Sequence, residues 1–156
     1  MNLLLSLGIS IGVLAGIWTA MSVVLGWSTW CGFAAWATFY AAGGKEEGLK
    51  KAIFSNLSGV FWGVVIVQIS NLLTPMIGGT VALSIGVVVG AFAMCLQANI
   101  SLLAFIPGAF IGAAIYFGSG DVVTAVVGLV SGGLFGYVSE KGSNLLMGKK
   151  SEEASE

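Results

Sequence analysis

Six apolar runs separated by short polar breaks fill this chain: residues 3–25, 28–43, 52–72, 77–98, 100–118 and 122–139. Each run is continuously apolar, without the alternation of a barrel strand, so each predicts a helix. A hydrocarbon core about 30 Å thick needs ~17–25 helical residues. Run 28–43 sits at the lower limit and is expected as a short, tilted or re-entrant helix. The expected fold is an all-α membrane protein with six transmembrane helices. The start, "MNLLLSLGIS", has no positive segment, so the first run reads as a retained span and not as a cleaved signal.

The runs repeat. "SIGVLAGIW" (Ser10 to Trp18) returns as "SIGVVVGAF" (Ser84 to Phe92), "LSGVFWG" (Leu57–Gly63) as "VSGGLFG" (Val130–Gly136), and "SNLL" at Ser70 again at Ser143. The offset is 74 residues for the first block and 73 for the others. This order predicts an internal duplication, residues 1–73 and 74–147, with three spans each and a charged tail at 148–156. Three crossings leave the chain on the far side, so the second copy enters upside down. The expected plan is two inverted repeats about a pseudo-two-fold axis in the membrane plane.

Composition and charge sharpen this picture. Only 8% of residues are charged and 57% are hydrophobic, against about 25% charged in a soluble domain. The natural solvent is a lipid bilayer. A net charge of −1 offers no basic surface, so no nucleic-acid partner is expected. The positive inventory is six lysines: Lys45, Lys50 and Lys51 between the second and third runs, and Lys141, Lys149 and Lys150 near the end. The loop "GSGD" has none. With both termini cytoplasmic every lysine is inside, as the positive-inside rule asks. Cys31 and Cys95 form no disulfide or zinc pattern and are read as packing residues.

Small residues recur at four-residue spacing, which places them on one helix face. The rows are Gly8, Gly12 and Gly16; Gly59 and Gly63; Gly86 and Gly90, preceded by Ala82; and Gly128, Gly132 and Gly136. In lipid such rows let backbones pack closely, so all ten glycines are helix-packing candidates. Pro107 is expected to kink the fifth span.

The interior is short of ionisable chemistry. There is no histidine, and no Asp, Glu, Lys or Arg lies in the middle of a run. No metal cluster, nucleotide loop or nucleophile–base pair is present in the sequence, so neither an enzyme nor a cofactor is expected. Neutral polar and aromatic residues remain. Ser10 and Ser84, Ser58 and Ser131, Trp18 and Phe92, and Trp62 and Phe135 pair across the repeat, and with Asn56 they are the pore-lining candidates. Asn56 ranks first, because its carboxamide needs partners in lipid. Trp27 and Trp30 read as an aromatic belt. Gln68, Gln97 and Asn99 read as boundary residues.

The run "WSTWCGFAAWATFYAAGGKEEGLKKAIFSNLSGVFWG", with "LLAFIPGAF" in the second half, resembles the bacterial inner-membrane proteins grouped as domain of unknown function 1097, the YcdZ-like family. The resemblance implies a bacterial inner-membrane location and carries over no functional residues. By analogy of plan alone, a 3+3 repeat with an uncharged interior is similar to small-solute channels, although no Asn-Pro-Ala pair is present. The leading expectation is a channel or facilitator for a small neutral solute in the range of urea, ammonia, a short amide, an alcohol or an undissociated weak acid. A homo-oligomer, a trimer by the same analogy, goes with it. The alternatives are a structural or accessory membrane subunit, and an ion-conducting or ion-coupled protein using backbone carbonyls at helix breaks.

Overall fold

The computed structural model describes residues 2–148, so the expected tail, Gly148 apart, lies outside the described residues together with Lys149 and Lys150. Among the described residues all regular structure is helical. The elements are α1 (Leu3–Leu25), α2 (Thr29–Ala41), α3 (Lys45–Ile77), α4 (Gly79–Leu96), α5 (Ile106–Ser119) and α6 (Val122–Leu146). Two 3-10 turns, Gln97–Asn99 and Ser101–Leu103, join α4 to α5. Local chemistry sets several boundaries. The Asn2 side chain accepts from the Leu5 N–H at α1, and the Asp121 carboxylate accepts from the Thr124 N–H at α6. The latter bond, first among several, holds the Asp121 carboxyl below the usual range. Gly26, at φ 69°, ends α1 in the left-handed region.

Four helical stretches are long and apolar enough to cross a membrane: Leu3–Leu25, Lys45–Ile77, Gly79–Asn99 and Val122–Leu146. The other two are not. α2 has 13 residues and α5 has 14, about 20 Å each at 1.5 Å per residue. For run 28–43 this is the short helix expected. In run 100–118 the first residues form the 3-10 turn Ser101–Leu103 and a short link, which leaves the shorter helix α5. Pro107 is corrected: it lies in the first turn of α5, where its missing N–H has no helical partner to lose. It kinks nothing. The proline inside a helix is Pro75, near the end of α3.

Helix α3 packs chiefly against α4 and α5, and α6 against α2 and α1, while α3 and α6 also touch. Their meeting place is a core of Cys31, Ala35, Val60, Ile115, Ala125 and Leu129. Glycine makes the contacts possible. A Cβ on Gly59 would run into the Ala109 carbonyl, one on Gly112 into the Asn56 carbonyl, and one on Gly132 into the Gly32 carbonyl. Gly63 is covered by the Tyr116 ring and Gly136 by the Phe39 ring; Gly128 meets Cys31, and Gly86 and Gly90 meet Ile66.

Gly8, Gly12 and Gly16 behave differently: nothing lies within 4 Å of a Cβ built on any of them. The expected packing role is not met inside this chain. The row that α1 buries is Ser6, Ser10, Trp18 and Ser22, which stands two residues, and so about 200°, from the glycine row. Helix α4 does the reverse. It buries Ala82, Gly86, Gly90 and Met94 and leaves Ser84 and Phe92 outside. The two copies of one motif turn opposite faces inward.

One end of the bundle gathers the charged segments. The Lys45 N–H donates to Glu140 Oε2 at 2.6 Å, Tyr137 donates to Glu46 Oε1 at 3.2 Å, and Ser10 donates to the Ser139 carbonyl at 2.8 Å. The start of α1, the α2–α3 junction and the end of α6 therefore share that end, with Lys45 and Lys141.

The seams yield a test. Gly59→Val and Gly132→Val force backbones apart and should each cost about 1–3 kcal/mol, the usual range for overpacking. Gly12→Val, in open space, should leave thermal stability in detergent unchanged. Equal losses at Gly12 and Gly59 would contradict the packing described.

Candidate functional site

The apolar bundle buries four polar groupings. The first joins α1, α2 and α6 at Ser139, which is fully buried. Its hydroxyl donates to the Gly136 carbonyl at 2.6 Å, accepts from Trp36 Nε1 at 3.1 Å and lies 2.7 Å from the Tyr40 hydroxyl. With Tyr40 donating, the Ser139 oxygen has used its proton and both lone pairs. The grouping is saturated.

The second fixes the α1–α2 corner. Trp18 Nε1 donates to the Thr29 carbonyl at 2.9 Å, and Ser22 and Thr29 hydroxyls meet at 2.7 Å. The Trp18 ring packs on Trp27 and Phe135, and Phe135 in turn on Trp36. The third docks the α4–α5 corner onto the middle of α3. Trp62 Nε1 donates to Gln97 Oε1, Gln97 Nε2 donates to Ser58 Oγ, both at 2.9 Å, and Ser58 donates to the Ser55 carbonyl at 2.7 Å.

The fourth is the candidate site. Ser55 and Asn56 stand about a third of the way along α3, 0% and 1% exposed. They face the start of α5, where Gly112 lets the Asn56 backbone in. Asn56 Oδ1 is 3.4 Å, and Ser55 Cβ 2.9 Å, from where a Cβ on Gly108 would stand. Neither Asn56 Oδ1 nor Ser55 Oγ has a hydrogen-bond partner; among the described residues Ser143 Oγ shares that state. An unmade bond at a buried polar atom costs about 1–3 kcal/mol. The nearest formal charge along α3, Lys51, is paired with Glu47 at 2.6 Å. The site is thus polar, uncharged and unsaturated.

The sequence-derived lining residues do not converge on one passage. Asn56 and Ser58 are neighbours, with Trp62 joined to Ser58 through Gln97. Trp18, Phe135 and Ser10 belong to the α1–α2–α6 side, and Ser131 is half-buried on α6. Phe92 is 64% exposed, and Ser84 is exposed with its hydroxyl on the Thr80 carbonyl. Both face outward for the reason given above. Trp30 is exposed and its ring covers Gly118. Cys31 is buried and Cys95 exposed, both as free thiols. Sequence reasoning counted Ser55 among the interior polar residues but not among the lining candidates, missed Trp36, Tyr40 and Ser139, and placed Gln97 at a boundary although it is buried against α3. The spacing of Trp36 and Tyr40, two polar-tipped rings on one face of α2, was the available signal.

Ser139→Ala removes the acceptor of two buried donors and should lower stability by about 1–3 kcal/mol. Ser84→Ala should be neutral in the same thermal unfolding assay. No loss at Ser139 would mean that the Trp36 and Tyr40 donors find other partners.

Comparison with known proteins fits this apolar helical fold. The family described as Protein of unknown function (DUF1097) matches residues 8–144. The chain is 39% identical over 153 residues to the inner membrane protein YcdZ of Escherichia coli K12, covering 97% of this chain and 91% of that one. It is 38% identical to YcdZ of Salmonella typhimurium LT2, covering 99% and 96%. It is 32% identical to the uncharacterized protein YahC of E. coli K12, covering 94% of each. No solved structure matches the chain. A match over nearly the whole length, with relatives above 30% identity, places the chain in the DUF1097 family.

Proposed function

We propose that this chain is a bacterial inner-membrane facilitator for small uncharged solutes, built as two inverted repeats. The inner-membrane relatives and the four long apolar helices support the location. The exchange of partners supports the repeat. Helix α3 of the first half takes α4 and α5, and α6 of the second half takes α1 and α2. Gly59 meets Ala109 as Gly132 meets Gly32, and Gly63 meets Tyr116 as Gly136 meets Phe39. The lysines at one end support an orientation with both termini cytoplasmic.

The observation that carries the functional reading is the buried, unsaturated pair Ser55 and Asn56 on α3. Purely structural polar groups in lipid are expected to be satisfied, as Ser139 is. Ser55 and Asn56 are not, and the surroundings bring no charge to stabilise an ion. A neutral molecule that gives and takes hydrogen bonds suits such a point.

A second reading, an accessory or oligomeric membrane subunit, is favoured by the open glycine row of α1. Gly8, Gly12 and Gly16 present a surface fit for another helix. The two readings are compatible in a homo-oligomer whose protomers each carry a site.

Osmotic swelling of proteoliposomes separates them. At least one of urea, acetamide, propionamide, glycerol and propanol should enter faster than into empty vesicles. Asn56→Leu should lower that rate about tenfold while Ser84→Ala leaves it intact. Rates equal to empty vesicles across the panel, or an Asn56→Leu rate equal to wild type, would overturn the facilitator.

A further inference from the structure

We infer that Ser55 and Asn56 bind a short amphiphilic solute, of the primary amide or alcohol class, which reaches them from a recess between α2 and α5 when the Phe105 ring swings aside. This rests on the facilitator reading and adds to it the route, the barrier and the chemical class.

The recess has a volume of about 310 Å³ and is lined by Ala34, Ala37, Thr38, Ala41, Phe105, Pro107 and Ile111. Its origin is visible in the α2–α5 seam. At one end of the seam the Trp30 ring lies over Gly118 and fills the space. At the other end Pro107 faces alanines, and nothing as large as an indole is available. Its lining includes Ala41, the last residue of α2.

Phe105 is common to this recess and to the surroundings of the polar pair. It is one of the residues lining the recess, and its Cδ1 lies 2.8 Å from where a Cβ on Gly108 would stand, a point also approached by Ser55 Cβ and Asn56 Oδ1. The residue sits just before α5 at φ −81° and ψ 76°, outside the helix. Its side chain is half-buried. Roughly 150 Å³ of apolar cavity suffices for benzene, so the recess can receive the ring. Swinging it there uncovers the two unpartnered oxygens.

The walls set the class of solute. The recess offers methyl groups and rings, and its one hydroxyl, on Thr38, is committed to the Ala34 carbonyl at 2.8 Å. A solute gains on this stretch only through apolar surface. At its end, Asn56 Oδ1 requires a donor, and Ser55 Oγ can donate or accept. An N–H or O–H group on a short apolar tail meets both demands. Urea, polar all round, meets only the second.

The test uses Ser55→Cys in a chain carrying Cys31→Ala and Cys95→Ser, reconstituted in liposomes. Methyl methanethiosulfonate, small and neutral, reports access to the new thiol. Labelling should be slow with Phe105 present, about tenfold faster with Phe105→Ala, and slower still with Phe105→Trp. Propionamide should protect the thiol and equimolar urea should not. Should Phe105→Ala fail to give a monodisperse protein, Phe105→Leu replaces it with the same expected direction. Labelling independent of residue 105, or unprotected by propionamide, overturns the inference even if solute flux is found. Labelling that follows residue 105 and is blocked by propionamide upholds the binding point, even if the swelling assay finds no flux and removes the facilitator.

Discussion

Close approach of helix backbones at glycine is the constraint on which the rest of this structure depends. Lipid tails are as apolar as leucine, so apolar burial gives little reason for one helix to prefer another over lipid. What remains is dispersion across tight contacts and a few hydrogen bonds. Gly59 against Ala109, Gly112 against Asn56 and Gly132 against Gly32 bring α3 to α5 and α6 to α2 with no side chain between. These seams hold two helices too short to cross a bilayer alone. They also create the need for polar residues inside, because the ends of short helices expose backbone groups at depth. Trp18 on the Thr29 carbonyl ties the start of α2 to α1, and Glu140 accepts the first N–H of α3 at Lys45.

Interior polarity then divides into two kinds. Around Ser139 every hydrogen-bonding position of the hydroxyl is used, and the result ties three helices. Around Gln97 a short chain of bonds anchors the α4–α5 corner to α3. Ser55 lends its carbonyl to that chain and Asn56 is the next residue, yet each keeps a side-chain oxygen unpaired. Ser143 near the end of α6 shares this state, but Ser55 and Asn56 are two such groups side by side. The adjoining recess exists because Pro107 and small residues stand at one end of a seam that Trp30 closes at the other.

Much of this was legible in the residues. The apolar runs mark α1, α3, α4 and α6, and the glycine spacing marks Gly59, Gly63, Gly86, Gly90, Gly128, Gly132 and Gly136 as contact points. Asn56 stood out as a carboxamide inside an apolar run. What could not be read was which face of each helix turns inward. α1 and α4 are apolar all round, so no amphipathic stripe distinguishes their sides. Equivalent positions were therefore expected to point alike, and Phe92 and Ser84 were paired with Trp18 and Ser10. The fold instead seats α4 by its glycines and α1 by Ser10 and Trp18. Likewise Gln97 closes an apolar run, which reads as a membrane boundary. Only tertiary packing brings that corner to the middle of α3.

Each half of the chain supplies the packing surface for the other, through α3 on α4–α5 and α6 on α1–α2. Expressing residues 1–77 and 78–156 as separate chains in one membrane tests it most directly. A tag on either half should retrieve the other in equal amount, and Gly59→Val or Gly132→Val should weaken this capture. Two halves that accumulate stably and purify apart would contradict it.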